Sequence, residues 1–183
     1  MAPGQRTTSR LEEFAYIGLG SNLEPRIRHL LAALHRISKE PEIRIEAVSS
    51  VYSTEAHVLD ERPQPEFLNA VVGVRTRLEA TALLHRCLEV EQAVGRVRAA
   101  TRWAPRRIDL DLLLYGSAVI DTPDLTVPHP LLASRLFALV PLADVWPQGR
   151  KLPVLEVTID HVIRNSPDRV LPLKTIVRLD NYG

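Results

Sequence analysis

Cysteine is almost missing from this sequence: Cys87 is the single one in 183 residues. That excludes a disulfide scaffold and a zinc site built from several thiolates. Long apolar runs are missing as well. None approaches the ~18 residues that a membrane helix needs. No apolar stretch follows Arg6 and Arg10, so residues 1–13 lack the form of a secretory signal. They read as a flexible lead-in, and a reducing cytoplasm is the expected setting. Charge of one sign is not in excess: 23 basic side chains face 22 acidic ones, for a net charge of +1. A chain that coats nucleic acid through bulk charge is thereby disfavoured. Aromatic residues make up only 5%. Four catalytic signatures are absent too. There is no G-x-x-x-x-G-K-[ST], no G-x-S-x-G and no H-E-x-x-H. Gly18-Leu19-Gly20 begins a dinucleotide fingerprint, but Leu23 stands where the third glycine belongs.

What remains is an ordinary globular composition, 45% hydrophobic and 25% charged. It suffices for one domain with a real core. Residues 14–20 read as a buried strand. Ile27, Leu30, Leu31, Leu34 and Ile37 recur at helical spacing after Pro25. Residues 43–54 are β-branched and read as one strand, followed by a loop over 55–66. Residues 68–76 alternate again. Leu83, Leu84, Cys87, Val90 and Val94 make a second helical stripe, closed by Gly95. Ile108, Leu110, Leu112 and Leu114 are expected on one face of a strand. A hairpin through Gly116-Ser117 should follow, then a short helix over 131–140. Residues 155–164 read as helical, and 171–179 as an edge strand. The order β-α-β-β-α-β predicts an α+β, ferredoxin-like antiparallel sheet with helices packed on it and a C-terminal extension. The expected organisation is a lead-in over 1–13, one domain over 14–164 and an extension over 165–183.

Charge is sorted locally even though it balances globally. Gln92 to Ile108 contains no acid, yet holds Arg96, Arg98, Arg102, Arg106 and Arg107. Asp109 and Asp111 follow at once. Residues two apart on a strand share a face, so these carboxylates project together. Side by side they repel unless something positive lies between them. Magnesium suits the place, because it prefers oxygen and is held by carboxylates together with substrate phosphates. The plain alternative is a pair of surface aspartates bonded to nearby arginines. The arginine run next door favours the metal. Guanidinium groups grip phosphate bidentately, and a polyphosphate would relieve their mutual repulsion. Trp103 either stacks on a ring or plugs the core. His129, between two prolines, either donates to phosphate or stabilises a turn. Asn69 either offers its amide to a flat heterocycle or secures a turn. Phe137 and Cys87 read as core.

Five segments then match a known pattern in order. They are Tyr16-Ile17-Gly18-Leu19-Gly20-Ser21-Asn22-Leu23, Phe67-Leu68-Asn69-Ala70, Gly95-Arg96-Val97-Arg98, residues 102–111 (Arg102-Trp103-Ala104-Pro105-Arg106-Arg107-Ile108-Asp109-Leu110-Asp111), and Leu125-Thr126-Val127-Pro128-His129-Pro130. The chain resembles the 6-hydroxymethyl-7,8-dihydropterin pyrophosphokinase family of folate biosynthesis. The resemblance implies transfer of a diphosphoryl unit from ATP to the hydroxymethyl group of the dihydropterin, with AMP as the other product. It implies two magnesium ions on Asp109 and Asp111. Arg96 and Arg106 would grip phosphate, and Arg98 and Trp103 would sit on a loop that closes over ATP. Glu91, His129 and Arg135 would lie at the ATP site. Phe67 and Phe137 would sandwich the pterin, Asn69 would read its edge, and Thr54 would open the pterin-side loop. ATP and a dihydropterin are the partners so implied, with no nucleic acid or membrane. A monomer is expected, one that neighbouring enzymes of the same pathway could contact. Two positions depart from the pattern. Phe67 stands where tyrosine is common, and Glu55-Ala56-His57-Val58 replaces a Pro-Pro-x-Gly loop. The competing class is an RNA-binding ferredoxin-like module using Arg96–Arg107. Against it stand the few aromatics and the carboxylate pair beside the basic run.

Overall fold

The computed structural model describes residues 11–55, 65–95, 105–166 and the backbone of 174–177. Arg96, Arg98 and Trp103, the lead-in over 1–10 and most of the 55–66 loop lie outside the described residues.

Strand β1 (Glu13–Ser21) is central. It pairs antiparallel with β4 (Phe67–Thr76) on one side and β5 (Asp109–Tyr115) on the other. Beyond β4 lie β2 (Ile43–Val48) and β3 (Val51–Thr54). The order β5-β1-β4-β3, with α1 (Arg26–Ile37) and α2 (Ala80–Val94) as crossovers, is the ferredoxin-like arrangement. Strand β8 (Lys174–Val177) adds an outer edge against β3, within the range expected for a last strand.

The core follows from period two. Ala15, Ile17 and Leu19 of β1 face the same side as Leu68, Ala70, Val72 and Val74 of β4. Leu30, Ala33, Leu34 and Ile37 of α1 and Leu83, Cys87 and Val90 of α2 close over them. The other side of the sheet is covered only in part. There Tyr16, Val71, Leu113 and Leu114 pack beneath α3 (Leu136–Val145), with Leu139, Leu142 and Trp146. The Tyr16 and Trp146 rings lie 5.0 Å apart. Helix α4 (Ile159–Asn165), capped by Thr158, rests on α3.

Three local readings need correction. Residues 43–54 form two strands rather than one. Ser49 interrupts them, its Oγ accepting the Val71 N–H at 2.8 Å. Asp144 of α3 anchors the break, accepting from Ser50 N–H at 2.9 Å and from the Tyr52 hydroxyl. Leu114 does not share a face with Leu112. The β1–β5 register shifts between Tyr16 and Ile17, and this irregularity turns Leu113 and Leu114 to the α3 side. Finally, the Gly116-Ser117 turn leads into no partner for β5. Strand β6 (Ile120–Asp121) pairs instead with β7 (Thr126–Val127), which delivers the chain to Pro128-His129. No helix among the described residues is long and apolar enough to cross a membrane.

Candidate active site

Alternation decides what lies on the α3 side of the sheet. Since Leu110 and Leu112 are committed to the α1–α2 core, Asp109 and Asp111 project from the opposite face. In β1 that face carries Gly18 and Gly20, and in β4 it carries Asn69 and Val71. Register then aligns them: Asn69 faces Gly20, which faces Asp109, and Val71 faces Gly18, which faces Asp111. Helix α3 covers one end of this face and leaves the Asn69–Gly20–Asp109 row uncovered by its core cluster. Gly20 keeps the row low. A Cβ there would stand 3.3 Å from Asn69 Oδ1, 3.9 Å from the Phe67 ring and 4.0 Å from Asp109 Cβ. A strand glycine of this kind marks close approach by something other than a side chain.

Asn69 is buried, and its Nδ2 donates to Thr54 Oγ1 at 2.8 Å. This bond fixes which way the amide points and leaves Oδ1 above Gly20. Phe67 opens β4 two residues earlier. The Arg106 guanidinium lies 6.0 Å from its ring and bonds Asp109 at 2.9 Å. A matching set stands at Phe137. Arg135 lies 5.5 Å from that ring and 3.8 Å from Asp111. The aspartates therefore share a face, as the spacing predicts, and each also has an arginine partner. These pairs are partly solvated, so they hold weakly and can exchange for phosphate.

Glu91 is buried at the end of α2. Its Oε1 accepts the Leu110 N–H at 2.6 Å, the peptide between the two aspartates, on the outer edge of β5. This carboxylate thus holds the aspartate pair's backbone from behind. Burial pushes the Cys87 thiol up to about 12, helped by Glu91 and Asp111, so Cys87 is core and no nucleophile.

His129 is held by its own backbone, whose N–H donates to Leu113 O at 2.9 Å. Its Nδ1 accepts the Leu131 N–H at 3.2 Å, which leaves the neutral ring's proton on Nε2. Burial pushes its pKa down to about 4. Arg135 adds to the push and Asp109 opposes it. The unfolded chain therefore takes up a proton between about pH 6.5 and about pH 4 that the folded chain refuses. The contribution of His129 to stability should fall as pH drops through that window and level off below it. Urea denaturation at stepped pH should show a shallower slope for His129→Gln than for the native chain; equal slopes would contradict this placement.

Sequence reasoning placed Thr54, Phe67, Asn69, Glu91, Arg106, Asp109, Asp111, His129, Arg135 and Phe137 at a site. The fold links them through shared sheet register, hydrogen bonds, ion pairs, ring contacts and electrostatic coupling. Three further candidates, Arg96, Arg98 and Trp103, lie outside the described residues. The sequence reading gave Gly20 no place among the site residues. Its signal was the alternation of Gly18 and Gly20, a side-chain-free stripe on one strand face. Arg107 leaves the cluster. A Cβ on Gly95, whose φ is +96°, would meet Arg107 Nη1 at 2.5 Å, so this guanidinium lies over the C-terminal end of α2. Cations are favoured there.

The profile of the family described as 7,8-dihydro-6-hydroxymethylpterin-pyrophosphokinase (HPPK) matches residues 16–147. The chain belongs to the HPPK family. It is therefore a pyrophosphokinase, and the basic run belongs to an enzyme rather than to an RNA-binding module. A relative from Pseudomonas aeruginosa, named 2-amino-4-hydroxy-6-hydroxymethyldihydropteridine pyrophosphokinase, is 43% identical over 146 residues, covering 76% of this chain and 88% of its own. One of the same name from Bacillus subtilis is 38% identical over 141 residues, covering 77% and 83%. Among solved structures, wild-type Plasmodium falciparum HPPK-DHPS with SDX-DHP superposes at a TM-score of 0.68 and 16% identity, over 86% of this chain and 45% of that one. The HPPK-like chain here thus spans less than half of that solved chain, and the likeness concerns the fold.

Proposed function

We infer that this HPPK-family chain moves the terminal diphosphoryl unit of ATP onto the hydroxymethyl group of 6-hydroxymethyl-7,8-dihydropterin in folate biosynthesis. The bond between the α-phosphate's bridging oxygen and the β-phosphorus breaks. A bond from the hydroxymethyl oxygen to that phosphorus forms, and AMP and the hydroxyl proton leave. The observation that carries this reading is the row Asn69–Gly20–Asp109 across three neighbouring strands. It sets an amide suited to a heterocycle's edge beside a carboxylate pair suited to phosphate-bound cations, with only a glycine between.

Asn69, steadied by Thr54, orients the pterin through its hydrogen-bonding edge, and Phe67 and Phe137 supply rings for stacking. Gly20 leaves room for the substrate to lie on the sheet. Arg106 and Arg135 exchange their aspartate partners for phosphate oxygens, and Arg96, Arg98 and Trp103 complete the ATP side. His129 donates from Nε2. The donor set fits magnesium, because Asp109 and Asp111 are hard oxygen ligands on one face, with Gly20 beside Asp109 carrying no side chain. Two magnesium ions held there would neutralise charge on the triphosphate, including its leaving oxygen, and on the attacking hydroxymethyl oxygen of the dihydropterin. The protein's own share is positioning and charge, as phosphoryl transfer requires.

The test is incubation with ATP, magnesium and the dihydropterin. AMP should form, and only when the pterin is present. ADP instead, or AMP at the same rate without pterin, would overturn the reading.

A further inference from the structure

The geometry points to Asn22 as the positioning residue that selects Arg106, rather than its neighbour Arg107, for the active site. The inference rests on the reading of Arg106 given above. Along the β1–β5 ladder, Gly18 faces Asp111, Leu19 faces Leu110 and Gly20 faces Asp109. Continued without a break, that register would set Asn22 opposite Arg107. Period two would also put Arg107 on the face of Asp109 and Asp111, and Arg106 on the core face with Ile108. The structure does the reverse. Arg106 bonds Asp109 at 2.9 Å, and Arg107 lies over Gly95.

Asn22 sits where the inversion occurs. It is fully buried, and its Oδ1 accepts the Arg106 N–H at 2.8 Å. Its own N–H donates to Arg106 O at 3.2 Å. Asn22 thus holds Arg106 at both its N–H and its carbonyl, the first by side chain and the second by backbone. The shift is one residue from the ladder, and a one-residue shift exchanges the faces of a strand. Without the Oδ1 acceptor, the Arg106 N–H loses the partner that holds the shifted register. An alanine here would free the segment to place either arginine over the aspartates. Among the described residues the Arg106 guanidinium meets Asp109 at 2.9 Å and the Phe67 ring at 6.0 Å.

A double-mutant cycle tests this, with kcat and KM for ATP measured for Asn22→Ala, Arg106→Ala and the pair, and melting temperature alongside. Asn22→Ala should lower kcat/KM about ten-fold or more, because small misplacement of a positioned group is costly. It should divide that loss between kcat and KM as Arg106→Ala does. In the Arg106→Ala background the same change should cost about two-fold or less, since both act through one guanidinium. Asn22→Asp keeps an oxygen acceptor and should recover more activity than Asn22→Ala. Equal proportional losses in both backgrounds would make Asn22 merely structural and overturn the inference. So would Asn22→Ala with native kinetics beside a crippled Arg106→Ala, and that result would leave the site reading intact. A fully active Arg106→Ala would overturn both. Should Asn22→Ala fail to fold, Asn22→Asp decides: activity above that of Arg106→Ala supports the inference, and activity reduced to the same level overturns it.

Discussion

Asp111→Ala should lower kcat by about a thousand-fold or more, several kcal/mol of lost charge stabilisation, while the fold survives. The loss follows from the placement of Asp111 on one strand face with Asp109. In the proposed mechanism the two aspartates hold divalent cations, and removing one leaves too little charge to hold them against a triphosphate. The fold survives because the Asp111 contact with Arg135 is long, at 3.8 Å, and partly solvated. Pairs of that kind contribute about 0–1 kcal/mol. The deletion also removes repulsion between the two carboxylates. Steady-state AMP formation and thermal melting together check the prediction, and isothermal titration with magnesium and an ATP analogue locates the defect. Turnover near the native rate would remove Asp111 from the chemistry. A collapse of the melting transition would instead mark the aspartate as structural.

Gly20→Val should be nearly as damaging to activity, with a different signature. A β-carbon at this position meets Asn69 Oδ1 at 3.3 Å. The amide must then yield by a few tenths of an ångström, against its bond to Thr54. The two γ-methyl groups of valine extend beyond that, into the space between Asn69 and Asp109. Substrate would have to lie on a raised floor, away from both groups. The expected loss in kcat/KM is about a hundred-fold or more, the scale of misplacing a reacting group by about 1 Å. Strand stability should change little or rise, because glycine inside a strand costs roughly 0.5–1 kcal/mol relative to alanine. Valine also favours extended backbone. A melting temperature held or raised, together with crippled turnover, is the outcome that identifies the glycine as a binding feature. Native kinetics in this variant would show that nothing needs to approach the sheet there. Asp111→Ala should weaken the response to magnesium. Gly20→Val should instead raise the KM for the pterin while leaving ATP binding closer to native.

Side-chain alternation is a local property, and what depended on it was legible from the chain alone. The common face of Asp109 and Asp111, the buried stripes of α1 and α2, and the β-α-β-β-α-β order needed only spacing and polarity. The aspartates' arginine neighbours were visible as an acid-free run, although not which arginine reaches which carboxylate. Register, bulges and coverage belong to pairs of elements, and these were decided by the tertiary structure. Asn69, Gly20 and Asp109 are distant in sequence and become neighbours only because β1 lies between β4 and β5 in a particular register. The β1–β5 register shift turns Leu114 away from Leu112, and Ser49 splits a strand that β-branched residues made look continuous. The exchange of Arg106 for Arg107 has the same origin. Local periodicity assigns them one way, and the contact with Asn22, 84 residues away, goes with the opposite assignment. A one-residue shift costs nothing in composition and reverses which side chain faces the substrate, so it can be read only where two strands meet.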